Sequence, residues 1–317
     1  MARNNRFQNK IAESVGTLPV CAVIATILWW WPQQAFAVSN ILGWVLCGFT
    51  AFVFMETNSI QHIIRISTRM MTCVWLAFSA GMAFLHPLGA PSVSASCLAL
   101  SYYMLFRCYQ LYDPTAWVFH SFLFLGIGSL FSPIMLPMGI LYFFYLAGFL
   151  RSLTWRGVWA GILGMGTPYW CWAVWCFATD TTDSILAFAA SHFVWEPVSW
   201  QAITEMSLSN LVTMGVVFLL GLVGLNHYLH NKYNDKIRVR MILYIYTIQT
   251  VLLMVCLLLQ PSHFPTTMAL LAVSACPLIA HYFSLTGSWL SNAFFMLALL
   301  LCGVMTYLNL WMPSLNI

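Results

Sequence analysis

Between Arg240 and Gln260 the chain reads MILYIYTIQTVLLMVCLLL, nineteen residues without a charge. As a helix, such a run rises about 28 Å, close to the thickness of the hydrocarbon core of a bilayer. Runs of this kind recur along the whole chain. They are continuously apolar rather than alternating at every second residue, which argues against a transmembrane barrel. Of 317 residues, 61% are hydrophobic and only 6% charged, whereas soluble domains carry about 25% charged residues. The expected fold is all-α: a polytopic transmembrane helical bundle forming a single integral membrane domain over 1–317.

Turn and breaker residues divide the chain into about eleven expected spans: 17–36, 38–56, 70–86, 92–107, 116–133, 135–150, 157–178, 208–229, 240–259, 266–285 and 290–311. The dividers are Pro32, His86-Pro87, Asp113-Pro114, Ser132-Pro133 and the stretch from Pro261 to Pro265. The segments 116–133 and 135–150 also admit a reading as one re-entrant hairpin. Near the N-terminus, Ala35-Phe36-Ala37 resembles a signal-peptidase site. The preceding Trp29-Trp30-Trp31-Pro32 better fits a retained span that ends in an interfacial aromatic belt. Of the ten cysteines, only Cys171 and Cys176 lie close together, and neither has metal-ligand spacing. They read as small buried hydrophobes, so no metal and no cofactor is expected.

Orientation follows from the lysines and arginines of the loops. With the N-terminus in the cytoplasm, all twelve fall on one side: Arg3, Arg6, Lys10, Arg65, Arg69, Arg107, Arg151, Arg156, Lys232, Lys236, Arg238 and Arg240. Glu13, Glu56, Asp113 and Asp235 join them, which leaves the inner face at +8. Asp180, Asp183, Glu196 and Glu205 lie outside, in the long loop 179–206, and leave that face at −4. The C-terminus is expected on the outer, periplasmic side.

Three constellations carry candidate chemistry. The inner basic set Arg65, Arg69, Arg151, Arg156, Lys232, Lys236, Arg238 and Arg240 suits anionic headgroups, because the arginine fork matches phosphate oxygens. Orientation of the chain alone is the simpler explanation of the same residues. Asp235 stands three residues from both Lys232 and Arg238, a spacing at which it is able to pair with either. In the outer loop, Asp183 and Ser184 suit a helix cap, and His192 and Glu196 stand four apart on one face of an expected interfacial helix. With Asp180 and Asp183 they are the candidate catalytic groups if the chain is an enzyme. In GVWAGILGMGTPYWCW, Gly164, Gly166 and Pro168 suit either a broken helix lining a substrate path or close helix packing with a kink. His120 falls within the fifth span and His281 near the inner end of the tenth. No acid or base occupies a mid-span position.

The segments NRFQNKIAES, LRSLTWRGVWAGILGMGTPYW, NKYNDKIRVRM and SNAFFMLALLL resemble a family of bacterial polytopic inner-membrane proteins of similar length with no assigned chemistry. The resemblance covers most of the chain and implies a location in the bacterial cytoplasmic membrane, but no catalytic residues. The expected function is that of a non-enzymatic protein of envelope biogenesis. It would translocate or present an anionic lipid-linked substrate, or serve as the membrane subunit of a secretion or assembly complex. The expected partners are membrane lipids and a protein of such a complex, not nucleic acid. The alternative is a glycosyl- or phospho-transferase acting on a polyprenyl-phosphate-linked substrate at the outer face. Against it, the first outer loop, WWWPQQAFAVSN, carries no acid.

Overall fold

The computed structural model describes residues 6–31, 37–192, 203 and 206–312. These are 83% helical, with thirteen α-helices and no strand among the described residues. In chain order they are α1 (Phe7–Glu13), α2 (Thr17–Trp30), α3 (Val38–Gln61), α4 (Met70–Gly81), α5 (Ala90–Phe106), α6 (Thr115–Phe131) and α7 (Met135–Gly148). There follow α8 (Trp155–Ala178), α9 (Asp183–His192), α10 (Leu208–Asn231), α11 (Ile237–Leu259), α12 (Phe264–Leu285) and α13 (Trp289–Trp311). Hydroxyl caps begin several of them: Thr154 accepts from the Gly157 amide, Ser207 from that of Asn210 and Ser288 from that of Ser291.

Each of the eleven expected segments contains a helix, but only five helices, among the described residues, are long and apolar enough to cross a membrane. They are α3, α10 to the turn at Asn234, α11, α12 with the turn before it, and α13. Helices α1 and α2 qualify only together, and they are bent by 94° where they meet. The 12 residues of α4 rise about 18 Å, well short of a hydrocarbon core. The chain then leaves the α-helix for a 3-10 turn at Ala83–Leu85. Helix α8 has the length, 24 residues, but its glycines, Thr167, Pro168 and tryptophans make it less apolar than the five. Five such helices are what a multi-pass membrane protein requires.

The chain forms two compact units, residues 1–92 with 200–317 and residues 93–199. The first is built around α12, most of whose residues are buried. Its neighbours are α11, α10, α4 and α1. In lipid, apolar side chains gain nothing by leaving one hydrocarbon for another, so helices associate through close packing and polar contacts. Gly224 shows the first: a Cβ there would lie 2.8 Å from the Leu278 carbonyl carbon and 2.9 Å from the Ile279 nitrogen. Gln8 shows the second, its amide nitrogen donating to the Phe283 carbonyl at 2.6 Å and to the Thr286 hydroxyl at 2.9 Å. With Arg6 donating to the Gly287 carbonyl, this pins α1 across the end of α12.

In the second unit α6 and α8 make the most extensive contact. A Cβ on Gly126 would meet the Met165 carbonyl oxygen at 2.7 Å, and one on Gly164 the Phe119 carbonyl oxygen at 2.5 Å. The glycines therefore serve close approach. Around Gly164, Gly166 and Pro168, α8 runs as one helix, with Pro168 inside it. Gly166 has nothing within 4 Å of its Cβ position. A pair of reciprocal bonds, Ser101 Oγ to the Ser121 carbonyl at 2.8 Å and Ser121 Oγ to the Ser101 carbonyl at 3.0 Å, joins α5 to α6.

The glycine contacts are separable by mutation. Gly224→Ala should destabilise the protein by about 1–3 kcal/mol, because the obstructing atoms are backbone. Gly215→Ala on the same helix, where a Cβ meets nothing within 4 Å, should be neutral or stabilising. Thermal unfolding followed by tryptophan fluorescence compares the two. Equal melting temperatures would contradict the packing assigned to Gly224.

Candidate functional site

A polar cleft of about 950 Å³ opens in the first unit, walled by Glu56, Asn58, His62, Arg65, Arg69 and Lys236 with a few apolar neighbours. Its floor is the loop between α3 and α4. Helix α3 ends because His62 adopts a left-handed conformation, φ 49°. The loop beyond is then clamped by one side chain, Asn58. Its Oδ1 accepts from the Ile64 amide at 3.2 Å and its Nδ2 donates to the Thr68 carbonyl at 3.1 Å. This clamp carries Arg65 and Arg69 to the cleft wall.

Behind the wall lies a carboxylate with a fully buried side chain. Asp235 Oδ1 is 3.0 Å from Arg65 Nε, and Oδ2 accepts from His281 Nε2 at 3.1 Å. The His281 side chain is also fully buried, while that of Arg65 is 44% exposed. The pairing that spacing allows between Asp235 and Lys232 or Arg238 is therefore not made. That pairing assumes helical spacing, but residues 232–234 form a 3-10 turn and Asp235 is extended at φ −97°, ψ 152°. Leaving the helix turns the carboxylate inward, where a buried charge needs counter-ions.

Aromatic rings close the pocket around His281. The His227 ring lies 5.7 Å from it and the Tyr228 ring meets it edge-on at 6.0 Å. Tyr282 stacks edge-on against His227 at 5.2 Å. The Tyr228 hydroxyl donates to the Arg240 carbonyl at 2.8 Å, tying α10 to α11. His281 Nδ1 and His227 Nε2 are both buried with no hydrogen-bond partner among the described residues. Spacing alone does not link His281 to Asp235 or single out His227. The signal that relates them is their level: His227 and His281 fall at the expected inner ends of their spans, and Asp235 in the loop expected on the same side.

The rest of the basic set has other partners. The Lys232 ammonium stands 5.4 Å from the ring centres of both Tyr233 and Tyr244, and the Arg240 guanidinium 5.6 Å from that of Tyr233. Arg238 is exposed. Arg151 and Arg156 belong to the second unit. Arg151 is exposed and left-handed at φ 49°, and Arg156 lines a separate cleft of about 750 Å³ with Asp113, His120, Trp155 and Trp159. The Thr115 hydroxyl and amide donate to Asp113 and hold its carboxyl below the ordinary value.

The outer acids form no site among the described residues. Asp180 is exposed and left-handed at φ 53°, and Asp183 is exposed as the first residue of α9 rather than its cap. His192 ends α9, but its side chain lies outside the described residues, as do Glu196 and Glu205. Phe188 packs on Trp172 at 4.7 Å between ring centres, which anchors α9 to α8. No group of three or more His, Cys, Asp or Glu among the described residues is placed to hold a metal.

The Arg65–Asp235 pair should show coupling. Arg65→Met alone strands a buried carboxylate, whereas Arg65→Met with Asp235→Leu removes both charges. A double-mutant cycle in thermal stability should give a coupling energy of about 0.5–3 kcal/mol, and strict additivity would contradict the pairing. Comparison with protein-family models, with curated proteins and with solved structures gives no match, so the family resemblance of these segments has no support from that side and the cleft stands on its own chemistry.

Proposed function

We propose that the chain is a multi-pass protein of a bacterial inner membrane that binds an anionic, lipid-linked headgroup at the cleft of Arg65, Arg69 and Lys236, and translocates or presents that lipid during envelope assembly. The observation that carries this reading is the cleft itself. Three cationic side chains converge on a polar opening of about 950 Å³ in a chain that is only 6% charged. A guanidinium held from behind by Asp235 is pre-oriented, with its outer donors free to take phosphate oxygens in a fork.

The topology proposed with it takes all eleven segments as crossings, six of them built on helices shorter or less apolar than the five long spans, with the N-terminus inside and the C-terminus outside. On that topology every lysine and arginine falls on the cytoplasmic face. The cleft then opens at the headgroups of the inner leaflet, whose anionic lipids attract basic residues by about 1 kcal/mol each. The outer-face transferase has less behind it, since Asp180 and Asp183 are both exposed.

Two measurements test the proposal. Reporter fusions in the loops 62–69 and 232–236 should read cytoplasmic and a fusion in 179–182 periplasmic; the reverse would refute the orientation. In nanodiscs, the protein should retain phosphatidylglycerol in preference to phosphatidylcholine. Arg69→Gln and Lys236→Gln should each weaken that retention about fivefold, the equivalent of about 1 kcal/mol. Unchanged retention in both variants would leave the basic collar with an orienting role alone.

A further inference from the structure

The cleft and the buried carboxylate share one cation. Arg65 Nε faces Asp235 at 3.0 Å, while the 44% of its side chain that is exposed belongs to the cleft wall. An oxyanion entering the cleft must therefore share Arg65 with Asp235. The anion can draw on Arg69 and Lys236 as well. Asp235, with its side chain fully buried, has only His281 left.

We propose that anion binding at this cleft is proton-coupled: the Asp235–His281 pair takes up one proton from solvent as the oxyanion engages Arg65, and returns it on release. This rests on the reading of the cleft as an anion site and adds the ion that moves with the ligand. The reason is electrostatic. A second negative charge beside a buried carboxylate penalises its ionised form, and a buried charge that loses its partner is among the costliest arrangements in a protein. Neutralising the pair by one proton removes the penalty. The proton belongs to the pair as a unit rather than to either residue. His281 Nδ1, buried and without a hydrogen-bond partner among the described residues, offers it a vacant position.

The surroundings favour that location. Facing the pair are Arg65 from the α3–α4 loop, His227 and Tyr228 from α10, and Lys236 next in sequence to Asp235. Tyr244 and Arg240 of α11 contact Tyr228, Tyr282 of α12 contacts His227, and His230 lies one turn beyond His227. Among these groups, Asp235 and His281 alone share a direct bond behind the arginine. By linkage, affinity for the anion rises as pH falls, by up to about tenfold per pH unit where the pair titrates. Asp235 acts as a positioning residue: it aims Arg65 at the cleft and competes with the ligand for it.

The test is calorimetric titration of the purified full-length chain with dihexanoyl-phosphatidylglycerol, a soluble phosphodiester whose own charge is constant near neutrality. Repeating it in two buffers of different ionisation enthalpy counts the protons taken up. The wild type should take up about one proton per lipid bound. Asp235→Asn should bind more tightly, with no uptake and a flat pH profile. His281→Gln should also lose the uptake, and serves if the asparagine variant does not fold. His230→Gln, outside the cleft wall, should retain it. Binding by the wild type without proton uptake overturns the coupling and leaves the headgroup site standing, as does uptake that persists in Asp235→Asn or vanishes in His230→Gln. Absence of binding by the wild type overturns the headgroup reading itself, and the coupling with it.

Discussion

A carboxylate removed from water dictates much of the first unit. Asp235 accepts one counter-ion from the α3–α4 loop and a hydrogen bond from near the C-terminal end of the heavily buried α12. Residues 65, 235 and 281 are far apart in sequence, so one side chain draws together the ends of α3, α10, α11 and α12. Losing either partner would leave charge in a place that cannot solvate it. The Asn58 clamp on the loop and the Tyr228 bond to α11 hold the same arrangement from two further sides. The cleft is the outer surface of this knot.

Elsewhere the molecule relies on closeness instead of charge. Gly224 against α12, and Gly126 and Gly164 between α6 and α8, bring backbone within reach of backbone. That suits an environment in which burial of leucine against leucine gains little over leucine against lipid. Both remedies open to helices in a membrane are thus in use. A buried polar group ties α10, α11 and α12 of the first unit, and missing side chains bring α10 to α12 there and α6 to α8 in the second.

What the sequence made legible follows from which signals are local. Apolar run length is local, and it located a helix in each of the eleven segments. Helix length is less so: α4 stops at Gly81 and α1 turns by 94° into α2, because α1 is fastened at a distance by Gln8 to residues 283 and 286. The glycines of α8 announce close approach, but the partner of Gly164, the Phe119 carbonyl of α6, is known only from the fold. Pairing of Asp235 could not be read from spacing, since the i to i+3 rule holds only where the backbone is helical and the 3-10 turn at 232–234 ends that. His227, an unremarkable residue near the end of an apolar run, gains meaning only beside His281.

The basic residues, alike in sequence, are divided by the structure into different duties. Lys232 and Arg240 face tyrosine rings, which hold them at the end of α10 and the start of α11. Arg65 is held by a carboxylate. Arg69 and Lys236 are exposed on the cleft wall. A topological signal needs only positive charge and is indifferent to where each side chain points. A binding site needs direction, and direction here comes from Asn58, Asp235 and the left-handed His62, none of which contributes a positive charge to the topological signal. Substitution of Asn58 would leave the positive charge of the chain intact while releasing the loop that carries Arg65 and Arg69, so the charge that a topological signal needs and the direction that a binding site needs are separable.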